Sequence, residues 1–322
     1  MKEIVDFIVT FSAILWEAMP FIILGAGIAG ILEEFLPQEA ITKFLPKAVV
    51  PSIMIGAVLG LVFPMCECGI VVVMRRLLKK GLPLSCCIAY MLAGPIINGV
   101  VIYSTWIAFR DHKIAPEVIG LRVGLGFLVA VITGLVVHGQ WLKRGTTLLS
   151  ASVLPPKEEP KSLSLNVVEV QSKPRRTLMQ RLGNISSTAM HDFVDITVFL
   201  ILGAVLAAIT KQYITPDQIQ YLSSQQPLIA IPAMMLMAVL MCLCSEADAF
   251  VAASFREMHI SAKTAFLVLG PMLDLKLLMM YTRVFKPRLI ATIVVCVVIQ
   301  VLLYSIAVHV IYQSNGWTGL PG

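Results

Sequence analysis

The chain has 322 residues, 58% hydrophobic and 14% charged, with a formal net charge of +6 and a mean hydropathy of +0.87. That balance excludes an ordinary soluble domain, because a soluble helical core of this size needs a charged outer face on most of its helices. It also excludes nucleic-acid binding as the meaning of the positive charge, since the basic residues flank apolar segments, where the positive-inside bias accounts for them.

Eight hydrophobic segments can span a hydrocarbon core of ~30 Å, which takes ~20 apolar residues as a helix. They cover about 7–32, 48–74, 82–108, 116–141, 190–210, 227–250, 262–281 and 288–312. Lipid offers no partners to a bare backbone. The expected fold class is therefore an all-α polytopic membrane protein, with about eight transmembrane helices in two homologous halves and interrupted helices at a central site.

The first segment follows Lys2, Glu3 and Asp6 and ends in no small-residue cleavage pattern, so it reads as a span rather than a signal peptide. It carries Glu17 ahead of Leu24-Gly25-Ala26. The second holds Phe63-Pro64-Met65-Cys66-Glu67-Cys68-Gly69 and ends in the basic turn Arg75, Arg76, Lys79 and Lys80. The third holds Gly94-Pro95-Ile96-Ile97-Asn98.

After the fourth segment comes a stretch, 142–189, with Pro155-Pro156, Pro160 and Pro174 interleaved with Lys, Glu and Ser. This composition makes a flexible connector rather than a folded unit. The expected division is a first membrane repeat at 1–141, a cytoplasmic linker at 142–189 and a second membrane repeat at 190–322.

The second half repeats the landmarks of the first. Cys242 and Cys244 stand to Cys66 and Cys68, Gly270-Pro271 to Gly94-Pro95, and Asp274 to Asn98, all at one offset of 176 residues. Leu202-Gly203-Ala204 matches Leu24-Gly25-Ala26 at 178, a register that sets Asp195 on Glu17. Repeats that meet around interrupted segments build substrate sites near the bilayer midplane. Four spans per half give a parallel repeat; a re-entrant hairpin in each half, with Pro64 and Gly69 bracketing the turn, gives an inverted one. With eight spans, the positive-inside bias places both termini and the linker in the cytoplasm.

Residues at i and i+2 on a helix point ~200° apart, so the thiols of Cys66 and Cys68 share a ligand only if the helix is interrupted. Pro64 removes a backbone donor and Gly69 permits positive φ. Paired thiols suit soft, thiophilic ions, so Cys66, Cys68, Cys242 and Cys244 are the candidate metal ligands. Glu67, Glu246, Asp248 and Asp274 lie in or beside spans, where a charge at the bilayer centre costs ~2.5–3.5 kcal/mol and calls for a cavity or a partner. Gly94-Pro95 and Gly270-Pro271 are the other expected breaks, each followed by a polar side chain, Asn98 or Asp274. The seven cysteines read as free thiols. There is no Walker A, Gly-x-Ser-x-Gly or His-Glu-x-x-His motif, so neither enzymatic activity nor a cofactor is expected.

Cys66-Glu67-Cys68-Gly69, the basic turn running to Gly81-Leu82-Pro83 and Ala93-Gly94-Pro95-Ile96-Ile97-Asn98 resemble the bacterial predicted-permease family. Cys242-Leu243-Cys244-Ser245-Glu246-Ala247-Asp248 and Gly270-Pro271-Met272-Leu273-Asp274 resemble that family's second-half motifs. Its members include organoarsenical efflux permeases and proposed copper/zinc exporters. The resemblance implies a bacterial inner-membrane, multi-pass permease, a secondary exporter of a small inorganic or organometalloid solute. Its lining would be Cys66, Glu67, Cys68, Asn98, Cys242, Cys244, Glu246, Asp248 and Asp274. Those branches commonly read Cys-Ser-Cys, and Glu67 here adds a charge and an oxygen ligand between the thiols. Membrane lipid and, in a homo-oligomer, further copies of the chain are the partners expected. Two alternatives stand beside this reading: a membrane thiol-disulfide oxidoreductase, and a non-transporting subunit that anchors a partner through the linker.

Overall fold

The computed structural model describes residues 2–35, 46, 48–63, 65–110, 114–150, 178–213, 227–255 and 258–316. Its helices are α1 (Lys2–Phe35), α2 (Val49–Val58), α3 (Glu67–Lys79), α4 (Leu84–Ala93), α5 (Gly99–Phe109) and α6 (Ala115–Arg144), then α7 (Leu178–Tyr213), α8 (Pro227–Met241), α9 (Ala247–Ser254), α10 (Ile260–Met272), α11 (Leu275–Val284) and α12 (Pro287–Ser314). A single 3-10 turn, Leu59–Leu61, prolongs α2. Among the described residues there is no strand, only a bridge between Leu149 and Phe285. The chain is an all-α polytopic membrane protein: among the described residues five apolar stretches are long enough to cross a bilayer, and shorter apolar helices lie between them.

Local sequence sets the helix ends. Pro116 and Pro287 sit in the first turns of α6 and α12, where a missing N–H costs nothing. Gly145, at φ 53°, ends α6 in a conformation that a Cβ disfavours. The helical boundary of the second half comes earlier than its hydrophobicity suggests, since α7 begins at Leu178 rather than near 190.

Four of the eight hydrophobic segments are each two helices rather than one. Gly56 of α2 lies against Cys86 near the start of α4, and Gly60 lies against Gly94 and Ile97 at its far end, so α2 and α4 run side by side in the same direction. A Cβ on Gly60 would come within 2.6 Å of the Gly94 backbone, an approach only glycine allows. Because α3 leads directly into α4, it must return along the path that α2 came in on. The segment 48–74 is thus a re-entrant hairpin whose described tip residues, 62, 63, 65 and 66, stop inside the bundle. In the second half, α8 and α9 flank a tip at 242–246 in the same way, with both helices packed on α10.

These turns reverse the expected topology. Gly30 near the end of α1 touches Ile185 near the start of α7, while Ile14 and Leu15 pack with Ala204 and Ala207, so α1 and α7 are antiparallel. At the end of α6, Ser150 N donates to Val284 O and Lys286 N to Leu148 O. Tyr312, near the end of α12, bonds Glu117 at the start of α6. The linker therefore leaves and re-enters at one end of the bundle, and the ends of α1 and α12 that carry the termini lie at the other. The expectation that termini and linker share a face rested on counting the two hairpins as spans.

Candidate functional site

The two hairpin tips meet in the middle of the molecule, where the chain also breaks α4 from α5 and α10 from α11. At the first of these breaks Asn98 caps α5, its Oδ1 accepting from Val100 N at 2.9 Å. At the second Asp274 caps α11, its Oδ1 accepting from Leu277 N at 2.6 Å. Both caps have extended backbone and are buried. Short polar side chains do this work at N-termini, so the two positions matched in sequence are matched in role.

The breakers themselves differ from expectation. Gly69 has no positive φ; it lies within α3, close enough to α1 that a Cβ on Gly25 would come within 3.0 Å of its backbone. Gly94 and Pro95 form the turn after α4, and Gly94 is required sterically, with Ile70 and the Tyr90 carbonyl closing on it. Gly270 and Pro271 lie inside the last turn of α10, and the break falls two residues after Pro271, at the extended Leu273. Pro271 has no N–H to give to the Leu267 carbonyl, and the helix ends at the residue after it. Pro64 lies outside the described residues.

Lys276 binds the two tips together. Its Nζ donates to Glu67 Oε1 of the first tip at 2.7 Å and to the carbonyl oxygens of Cys242 and Leu243 of the second at 3.2 and 3.5 Å. Asp274 Oδ2 lies 3.4 Å away. All three charged side chains are buried, so the ammonium is held by a cage of carboxylates and carbonyls as a free cation would be. Glu67 Oε2 and Asp274 Oδ2 have no hydrogen-bond partner among the described residues, which leaves acceptor capacity facing the tips. Gly203 of α7 packs directly on the Lys276 backbone and fixes where this side chain starts.

A second buried pair holds the other tip. Arg122 of α6 donates through Nη2 to both oxygens of Asp248, at 2.9 and 2.8 Å, and to the Ser245 carbonyl at 2.9 Å. Its Nη1 donates to Thr105 at 2.7 Å. Neither Arg122 nor Lys276 was among the expected site residues. Arg122 lies six residues from the start of the 116–141 segment, where its charge reads as flanking an apolar run; its burial against Asp248 is what the fold adds.

The cysteines do not form one quartet. Cys66 is the N-cap of α3, with extended backbone at φ −69° and ψ 170°, and Cys68 lies in its first turn. This cap geometry, rather than a long extended run, makes their thiols neighbours. Cys244 donates to Glu17 of α1 at 2.6 Å, and its sulfur accepts from Ala247 N. Cys242 instead turns toward α1 and α7, packing with Ile14, Ala204 and Ala207. It is the one non-glycine residue among those described with positive φ, at 50°, a strained conformation that aims its carbonyl at Lys276. Among the described residues no three His, Cys, Asp or Glu side chains are grouped to hold a metal ion. All seven cysteines are free. Glu246 caps α9 and accepts from Ser245 Oγ at 3.4 Å.

At the linker end, Asp195 accepts from Arg75 at 2.9 Å and from Arg283 at 2.9 Å, and Asp192 accepts from Arg76 at 2.6 Å. This network locks α3, α7 and α11 together between the tips and that face.

Apolar helices, two half-way hairpins and a buried charged centre define a multi-pass membrane permease. The chain belongs to the predicted-permease family, which it matches over residues 3–310. It is 35% identical over 299 residues to the UPF0718 protein YcgR of Bacillus subtilis, covering 92% of this chain and 95% of that one. It is 30% identical over 310 residues to a Streptococcus mutans protein provisionally named a two-component membrane permease complex subunit, covering 96% of this chain and 97% of that one. No solved structure matches it.

Proposed function

We propose that this permease is a secondary exporter of a small thiophilic solute, a soft metal ion or a trivalent metalloid species, bound where the two hairpin tips meet. The observation that carries this reading is the meeting itself: Glu67 and Lys276 close a contact between halves 209 residues apart in sequence, with Cys66, Cys68 and Cys244 beside it. Sulfur donors select soft ions, and carboxylates beside them favour a cationic species. Among the described residues, six helices on each side of the linker, two long ones enclosing four short ones, support an inverted repeat with pseudo-twofold halves. Such halves give alternating access by rocking around a fixed midplane site.

Charge supports the orientation. Arg75, Arg76, Lys79, Lys80, Lys143, Arg144, Arg283, Lys286 and Arg288 gather at the linker end, which the positive-inside bias assigns to the cytoplasm. Both termini then face outward in a bacterial inner membrane. The name of the Streptococcus mutans relative supports a further element, a second membrane subunit. Tyr103, Trp106 and Phe250 on the outer helices α5 and α9 offer exposed apolar surface for one.

The test is thiol protection on the purified full chain. Alkylation rates at Cys66, Cys68 and Cys244 are read by mass spectrometry with and without Zn(II), Cu(I), arsenite and methylarsenite. Protection of these three by one ligand, with Cys86, Cys87 and Cys296 unaffected, identifies the solute class. Equal rates at readily alkylated thiols with every ligand would falsify the reading.

A further inference from the structure

Lys263 has no role in the site described so far, yet it is fully buried and its Nζ has no hydrogen-bond partner among the described residues. Its nearest described interaction is the ring of Phe109, 5.9 Å from the ammonium to the centroid. A bare buried amine is costly, so a chain that retains one at such depth uses it or relieves it with water.

Its surroundings are groups that pass protons. One turn outward on α10, His259 caps the helix, its Nδ1 accepting from Ser261 N at 3.2 Å and lying 2.8 Å from Ser261 Oγ. Nδ1 of His309, on α12, is 3.5 Å from the same nitrogen. The His259 ring meets the rings of His309 and Tyr312 edge-on at 4.7 and 5.7 Å. The Tyr312 hydroxyl bonds Glu117 at the start of α6. These groups stand at the end of the bundle opposite the linker. Inward from Lys263, seven residues along α10 and so about 10 Å deeper, Gly270 faces Asp248 Oδ2. The titratable or charged groups facing this column are Glu117 and Arg122 from α6, His309 and Tyr312 from α12, and Asp248 from α9. The described part of α8 presents none, and α4 presents Cys86, Cys87 and Tyr90.

We infer that Glu117, Tyr312, His259, His309 and Lys263 form a proton-entry relay from the face opposite the linker to Asp248 at the second hairpin tip. A proton handed along the histidine pair passes to the Lys263 amine when that amine is unprotonated. The resulting ammonium then gives it to the Asp248 carboxylate, which weakens the Arg122 pair and frees the tip. One proton enters and no other bond changes. Gly270 puts Asp248 Oδ2 on the face of α10 that Lys263 shares seven residues earlier, with a Cβ at 270 only 4.0 Å from that oxygen, so a bridging water completes the step. The inference rests on the transporter reading for its purpose, since a relay needs a coupled solute, but not on the identity of that solute.

The experiment is a solute-free pH jump, from about pH 8 to about pH 6, on proteoliposomes of the full chain over a solid-supported membrane. Wild type shows a transient charge displacement as protons enter. Lys263→Met and His259→Gln lower it several-fold, and Lys263→Arg, whose charge cannot be released, lowers it equally. Lys263→Met removes a bare buried amine and so leaves thermal stability equal or higher, which separates loss of the relay from loss of the fold. A transient that survives in Lys263→Met or Lys263→Arg, or is absent from wild type, overturns the relay. Failure of ligand protection at Cys66, Cys68 and Cys244 sinks the solute assignment alone, because the pH jump uses no solute.

Discussion

Lys276 and Glu67 are joined at 2.7 Å across the interface between the two halves, both buried and neither matched by an apolar alternative. Removing one member of such a pair strands the other. Glu67→Ala or Lys276→Ala therefore costs about 3–5 kcal/mol, while the double change to Leu and Met recovers most of it. Unfolding midpoints in detergent for the two single variants and the double variant check this. Losses that simply add would show that the pair is not coupled.

Arg122 is the clamp on the second tip, and its forked geometry does what a point charge cannot. Arg122→Lys keeps the charge but gives up the simultaneous bonds to Asp248, the Ser245 carbonyl and Thr105. The tip loosens, and Cys244 alkylates faster while Cys66 is unaffected. Equal rates at both cysteines would mean the clamp does not govern the tip.

Two glycines that look alike in sequence differ in what they tolerate. At Gly60 a methyl group meets the Gly94 backbone at 2.6 Å and the Ile97 carbonyl at 2.7 Å, neither of which yields without moving α2 off α4. Gly60→Ala costs about 1–3 kcal/mol. At Gly270 the nearest atoms are 3.8 and 4.0 Å away, so Gly270→Ala leaves stability unchanged within about 0.5 kcal/mol. Thermal unfolding of the two variants beside wild type decides it.

Sidedness follows from the hairpins. Reporters placed at the C-terminus and in the linker read opposite faces of the membrane, with the linker inside. Alkaline phosphatase and fluorescent-protein fusions at both positions give opposite activities. The same signal at both would restore an even number of crossings in each half.

The chemistry-bearing residues were legible in the sequence because they interrupt apolar runs: Cys66, Asn98, Cys242 and Asp274 all stand at helix breaks or tips. Their matched register is the ground for expecting two comparable halves. Depth and direction were not legible. A hairpin of two half-length helices has the same hydrophobicity as a single span, and what turns 48–74 back is the contact of Gly60 with Gly94, a packing fact. Arg122 and Lys263 read as flanking charges because each lies within two turns of a segment end, although both are buried. The partner of Lys276 was half legible: Asp274 is local, but Glu67 is 209 residues away and only the fold brings it near.

That separation also sets a clock on assembly. At synthesis rates of ~5–20 residues per second, Glu67 emerges roughly 10–40 s before the lysine that neutralises it. For that interval the first hairpin has no counter-ion for its tip, and the hydrocarbon core is closed to it as a charged species. The first hairpin must therefore wait at the membrane surface, or enter as the protonated acid, until the second half is made. The contact between the two tips is completed only once the second hairpin and Lys276 have been made.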